Sequence, residues 1–297
     1  MGGWIESLQY VFAPQIINGL SIGIAVILMA LGLTIIFGLL DVINMAHGEF
    51  YALGAYLGIS LGALGLSFWW LLVLVPLIML PLGFMVERLL IQKVFHHKDR
   101  HILTLLLTFG LAVVLEDVYK LIYGPQSIRA EMPISGVTEL AGVLLPNYRL
   151  FLMGVGTAII LAVWLIVYRS SLGAMVRAAA FDRDMAASLG VPVRRVYAGT
   201  FAFGVALAGL AGVLLAPVYS VFPTMGKDFI LLAFCVVIVG GLGSIKGTVV
   251  AGLTLSQIQA ISSLYIPPSW TDPLVFSIMV AALMVRPQGL FGRLGYA

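Results

Sequence analysis

Three stretches hold most of the residues able to do chemistry. The first, Asp41–Glu49, packs Asp41, Asn44, His47 and Glu49 into nine residues. A histidine two residues from a carboxylate could ligate a metal or relay protons. A zinc site needs further His, Cys or carboxylate partners at regular spacing, and these are lacking here. His-x-Glu is also half of a zinc deaminase signature, but its Cys-x-x-Cys half cannot exist in a chain whose one cysteine is Cys235. Three roles therefore stay open for Asn44, His47 and Glu49: metal or proton chemistry, structural hydrogen bonding, or lining of a pathway. The second stretch, Gly240–Gly247, places four glycines, Ser244 and Lys246 between apolar segments. It falls short of the Gly-x-x-x-x-Gly-Lys-Ser/Thr loop that cradles nucleotide phosphates. No Gly-x-Ser-x-Gly elbow occurs either. The third, Ser170–Pro192, alternates small residues with Arg177, Asp182, Arg183 and Asp184. No catalytic set, metal site or bound cofactor is expected, so any energy source must come from ions or a partner.

The elements that carry these stretches follow from composition. The 297 residues are 61% hydrophobic and 10% charged, with a net charge of +3. A soluble domain carries about a quarter charged residues, so a soluble enzyme, a nucleic-acid-binding domain and a disulfide scaffold are excluded. Asp, Glu, Lys and Arg are absent from Ser7–Leu40, Phe50–Val86 and Val196–Gly226. Each run exceeds the roughly 20 residues that cross a bilayer as a helix. Barrel strands would alternate apolar and polar residues, and Ile22–Leu33 and Leu71–Leu82 do not. The expectation is an all-α polytopic membrane protein, a single membrane domain over 1–297. Spans are expected near 16–38, 48–66, 68–86, 101–122, 150–168, 197–219, 229–245, 247–265 and 271–286, giving eight or nine crossings. Broken or re-entrant segments are expected near 41–49 and 240–247. Gly54, Gly58 and Gly62, and Gly204, Ala208 and Gly212, have the four-residue spacing that lets helices approach closely in lipid.

The basic residues orient the chain. Glu87–His101, Arg169–Arg195 and the tail after Val285 hold eleven of the 16 Lys and Arg residues. These three segments are expected to be cytoplasmic, and with them the C-terminus. Tyr123–Arg149, with Pro125, Pro133 and Pro146, reads as an external loop. Glu116, Asp117 and Lys120 have the spacing to pair locally on one helix. A glycine-rich break in a span frees backbone groups that must face protein or a water-filled cavity, and interrupted segments in both halves of a transporter point to its pathway. A tight turn at the interface is the other reading of each break. In the third stretch, Ala174–Leu189 favours helix. Asp182 can cap a second short helix at Arg183–Leu189, Gly190 suits its C′ position and Pro192 stops continuation. Such a helix can lie in a shallow groove of a partner or serve as an interfacial connection.

Three motifs together resemble the permease subunits of ABC importers for branched-chain amino acids, the LivH type. They are Gly32–Tyr56, with Asn44-Met-Ala-His-Gly-Glu49 inside it; Arg177-Ala-Ala-Ala-Phe-Asp-Arg-Asp-Met-Ala-Ala-Ser-Leu-Gly-Val191; and Val239-Gly-Gly-Leu-Gly-Ser-Ile-Lys-Gly-Thr248. The resemblance spans nearly the whole chain in the same order. It implies a second permease subunit, of the LivM type, two ATP-binding cassette ATPases that bind ATP and magnesium, and a periplasmic or lipid-anchored substrate-binding protein, in a bacterial or archaeal plasma membrane and without nucleic acid. It assigns ATPase coupling to 170–195, with Arg177, Ala180, Asp182, Arg183, Ala186 and Gly190 as the coupling residues. It leaves the substrate pathway to Asn44, His47, Glu49, Gly240, Gly241, Gly243 and Ser244. Lys246 departs from the family's usual Ile-Pro-Gly. Urea and short-chain amide permeases share the Asn-Met-Ala-His-Gly-Glu stretch and remain an alternative. An ion-coupled carrier or channel, and an intramembrane enzyme using His47 and Glu49, are alternatives of other classes.

Overall fold

The computed structural model describes residues 12–95, 97–140 and 143–292; the tail's Arg293 lies outside them. All nine expected segments are helical. They are α1 (Ala13–Leu40), α2 (His47–Ala63), α3 (Phe68–Val86, continued by a π-turn to Val94), α4 (Arg100–Tyr123), α5 (Asn147–Arg169), α8 (Val193–Leu215), α9 (Met225–Gly240), α10 (Ile245–Ser262) and α11 (Thr271–Val285). Two short helices, α6 (Ser171–Phe181) and α7 (Arg183–Ser188), link α5 to α8. Between α4 and α5 the expected loop contains an antiparallel hairpin, β1 (Val137–Leu140) and β2 (Val143–Pro146), pairing Val137 with Pro146.

Five of these helices are long and apolar enough to cross a membrane: α1, α3, α4, α5 and α8. The pair α9 and α10 is bent by 119° at its break and adds at most a sixth. The expected eight or nine crossings are therefore not reached on that measure. The reason is length. α2 has 17 residues and α11 has 15, short of the roughly 20 a full span needs. Hydropathy marks that a segment is apolar, not how far into the layer it starts.

The helices sort into an inner and an outer set. Over the most apolar 18-residue stretch of each, 83% of the residues are buried in α1 and α8, against 28% in α3 and α4 and 17% in α5. An outer helix in water would show an apolar stripe and a polar face. Here the outer faces carry Trp69, Leu77, Ile102, Leu106, Phe109, Val114 and Leu161, all exposed, as a lipid-facing surface requires.

Small residues set the inner spacing. A Cβ at Gly54 would run into the backbone of Gly209, and one at Gly212 into the carbonyl oxygen of Tyr51. α2 and α8 therefore touch backbone to backbone, as lipid-embedded helices do where small residues face each other. Tyrosine hydroxyls tie the outer helices to this core: Tyr119 donates to the Glu49 carbonyl at 2.8 Å and Tyr148 to the Leu214 carbonyl at 2.8 Å. Gly54→Val should destabilise the protein by about 1–3 kcal/mol through overpacking. Gly110→Ala, where nothing lies within 4 Å of the added methyl, should leave thermal unfolding in detergent unchanged or shifted upward. Equal melting temperatures for both variants would refute the backbone contact.

Candidate substrate pathway and coupling surface

The first break is built around Asp41. Asp41 ends α1 in the left-handed region at φ 52°, which a short polar side chain tolerates better than most. Its amide donates to the Phe37 carbonyl at 2.9 Å, and its carboxylate lies 3.6 Å from Arg100 and 3.7 Å from His101. Val42–Asn44 are not helical, and the chain turns into α2 at Met45 and Ala46. The amide of Met45 donates to Thr108 Oγ1 at 3.1 Å. Thr108 stands eight residues beyond Arg100 on α4, about 12 Å at 1.5 Å per residue. α2 therefore starts well inside the bundle rather than at its edge.

The three polar residues predicted here serve that buried start. Asn44 Oδ1 accepts from the amide of Ala46 at 3.2 Å, an Asx-type turn, and the Asn44 carbonyl accepts from the His47 amide at 3.3 Å. His47 Nε2 lies 3.1 Å from the Met29 carbonyl. A carbonyl only accepts, so Nε2 carries the proton. Asn44, His47 and Glu49 are 0%, 0% and 1% exposed. Asn44 Nδ2, His47 Nδ1 and Glu49 Oε2 have no hydrogen-bond partner. Glu49 sits in the first turn of α2, where the helix dipole favours an acid. It also packs against the start of α9, since a Cβ on Gly226 would touch its carboxylate and a Cβ on Gly48 would overlap the Gly226 carbonyl.

The second break lies elsewhere. Gly240 packs on the backbone of Gly247, Gly241 on Gly292, and Gly243 on Gly38 near the end of α1. Gly241 and Gly243 take positive φ values of 103° and 78°, which only glycine adopts without strain. Ser244 Oγ accepts from the Gly247 amide at 3.1 Å and caps α10. His47 packs against Gly32 and Gly243 against Gly38, six residues further along α1, so the two breaks are about 9 Å apart. The structure brings Asn44, His47 and Glu49 together, and Gly240, Gly241, Gly243 and Ser244 together, as two separate turns. Neither of the two cavities the structure describes is lined by any of the seven. No group of three or more His, Cys, Asp or Glu side chains among the described residues could hold a metal.

The third stretch folds as its residues dictate. Ser170 Oγ caps α6 by accepting from Gly173 N, and Asp182 Oδ1 caps α7 by accepting from Met185 N at 2.9 Å. Gly190, at φ 85°, closes α7: its amide donates to Ala187 and that of Val191 to Ala186, the Schellman pattern. Ala186 is buried against the bundle. Arg183 lies over the rings of Phe95 at 4.9 Å and Tyr197 at 5.6 Å. Arg177 donates to the Val167 carbonyl and lies 5.8 Å from the ring of Tyr168. Ala180 is half-buried, whereas Leu172, Phe181, Met185 and Leu189 project with exposures of 60% or more.

Residues 15–283 match the family described as branched-chain amino acid transport system / permease component. The chain belongs to this permease family. It is 31% identical to the high-affinity branched-chain amino acid transport permease LivH of Escherichia coli, over 95% of this chain and 96% of that protein. It is 30% identical to BraD of Pseudomonas aeruginosa, over 96% and 97%. To LivM of Escherichia coli it is 26% identical over 89% of this chain and 67% of that protein. No solved structure matches.

This permease also contains a network that the sequence alone understated. Glu116 pairs with Lys120 at 2.7 Å, as its helical spacing indicates, and Lys120 reaches Asp117 at 3.2 Å. The Glu116 carboxylate also holds Lys227, at the start of α9. It is the 6% exposed member of the set, while both lysines are about half exposed. The only signal for the long-range half was a lone lysine at the end of an uncharged run. Glu116→Gln should cost about 1–2 kcal/mol, less than a fully buried pair because water screens the lysines. Adding Lys227→Met should recover part of that cost in a double-mutant cycle read by thermal unfolding; strictly additive losses would show that the pair does not couple α4 to α9.

Proposed function

We propose that this permease is one of two membrane subunits of an ATP-driven, binding-protein-dependent importer of branched-chain amino acids. The relatives named as LivH and BraD support the substrate class. The greater likeness to LivH than to LivM supports a LivM-type chain as the second permease. A substrate-binding protein delivers the amino acid to the hairpin end, and two ATPases at the opposite end bind ATP and magnesium. The permease itself carries no cofactor and does no chemistry on its cargo. It resides in a bacterial or archaeal plasma membrane with its C-terminus in the cytoplasm.

The observation that carries this reading is α6–α7. Leu172, Phe181, Met185 and Leu189 stand exposed on a helix pair that lies outside any membrane-length span. Exposed apolar side chains grouped in this way mark a contact surface. Arg177 and Arg183 flank them, and Arg88, Lys93, Lys98, Arg100, Arg169, Arg194, Arg195 and Arg286 share the same end of the chain's segments, the charge bias of a cytoplasmic face. ATPase docking there couples hydrolysis to rearrangement of helices by rigid-body movement. In this reading Asn44, His47, Glu49 and the glycines at 240–243 shape the pathway by fixing where α2 and α10 begin.

Phe181→Asp with Leu189→Asp should lower leucine uptake by the reconstituted transporter at least about tenfold, on the scale of lost hot-spot contacts. The permease should stay in the membrane, because both side chains are exposed. Wild-type uptake in that variant would reject the docking surface. Uptake of urea instead of leucine by the wild-type assembly would reject the substrate class.

A further inference from the structure

The far end of α3 departs from a regular helix. The amide of Gln92 donates to the Glu87 carbonyl, five residues back, so Glu87–Ile91 forms a π-turn. Single π-turns inside α-helices recur at functional sites. On a regular helix, at 3.6 residues per turn, side chains five residues apart point about 140° apart around the axis. The wider π-turn closes much of that angle and brings Arg88 and Lys93 toward one face. Both are exposed. Arg194, exposed at the start of α8, joins them by donating to Gln92 Oε1 at 3.3 Å. Glu87, the acid of this turn, is only 2% exposed. No carboxylate among the described residues pairs with Arg88, Lys93 or Arg194.

The same face runs into the apolar outer surface of the bundle. The Arg88 guanidinium lies 5.7 Å from the ring centre of Phe84, one turn earlier. Phe84, Met85 and Leu89 are 37%, 54% and 51% exposed. A cation beside lipid-facing side chains keeps its stem on the apolar surface and its head at the polar boundary. There it meets phosphate. Three cations with no carboxylate partner, continuous with an exposed apolar strip, complement a molecule that is anionic at one end and hydrocarbon at the other. A soluble anion would match the charges and leave Phe84, Met85 and Leu89 bare. The proposed ATPase contact at α6–α7 is of another kind, since it is formed by exposed apolar side chains at the end of the bundle. Basic sites between transmembrane helices commonly hold phospholipid headgroups, and α3 and α8 are such a pair.

We infer that the end of α3 and the start of α8 hold an anionic phospholipid, with Arg88, Lys93 and Arg194 on its phosphate and its acyl chains along Phe84, Met85 and Leu89. The site goes beyond the importer reading and does not depend on what the importer carries.

The test uses the assembled, detergent-purified transporter titrated with an equimolar mixture of phosphatidylglycerol and phosphatidylcholine, with bound lipid read by native mass spectrometry. The wild-type complex should retain phosphatidylglycerol in preference to phosphatidylcholine. Arg88→Gln and Lys93→Gln should each lower that preference about fivefold, the scale of one basic side chain at an anionic headgroup. Both side chains are exposed, so the variants should assemble as the wild type does. Arg286→Gln removes an equal charge from the exposed end of α11 and should leave the preference unchanged. Equal retention of the two lipids by the wild type overturns the site. So does an equal loss in Arg286→Gln, because the attraction would then belong to the charge of the whole face. Loss of the ATPases from the purified Arg88→Gln complex also overturns it, since the patch would then be a protein contact.

Discussion

A helix that begins inside an apolar bundle exposes its first N–H groups to surroundings that contain no water. In lipid each unsatisfied group costs several kcal/mol, so the start of α2 must be supplied with partners by the chain itself. Asn44 supplies its side-chain oxygen and its carbonyl, Thr108 takes the Met45 amide, and His47 fixes the approach by bonding back to α1 at Met29. The rest of the architecture follows from that one arrangement. α9 can start against α2 only because Gly48 and Gly226 lack side chains, and α4 is drawn in through Tyr119 and Glu116. The residues that read most like a catalytic pair are thus the ones that make an interrupted helix affordable.

Much of this was legible in the residues. Apolar stretches located all nine expected helical segments, because a segment that must be apolar along most of its length leaves a one-dimensional record. Cap chemistry is equally local, so Asp182 and Gly190 announced both ends of α7, and the glycines announced the 240–247 turn. Depth is not local. Whether α2 spans the layer or starts within it depends on how Val42–Ala46 fold back along α1 and α4, and hydropathy is blind to that path. The β1–β2 hairpin was missed for a related reason: Val137–Pro146 is too short and too interrupted to alternate convincingly.

The site residues divide the same way. Asn44, His47 and Glu49 stood out by type and spacing, yet their roles depend on partners distant in the chain, such as Tyr119 on the Glu49 carbonyl and Gly226 against its carboxylate. Nothing in the sequence indicated that Gln259 Nε2 of α10 would donate to Asp272 Oδ1 at the start of α11. Local chemistry can be read along the chain; contacts between separate helices cannot.

Backbone contact between α2 and α8 has a mechanical side. Where Gly54 meets Gly209 and Gly212 meets Tyr51, no side chain remains to change rotamer and take up a displacement. Such a seam has almost no compliance, as expected of an interior packed at crystal-like density. α8 follows directly from α7, with only four residues between Ser188 and Val193. A push on α7 therefore travels the length of α8 and carries α2 with it as one lever, and any relative motion is left to the helices held by long side chains and ion pairs.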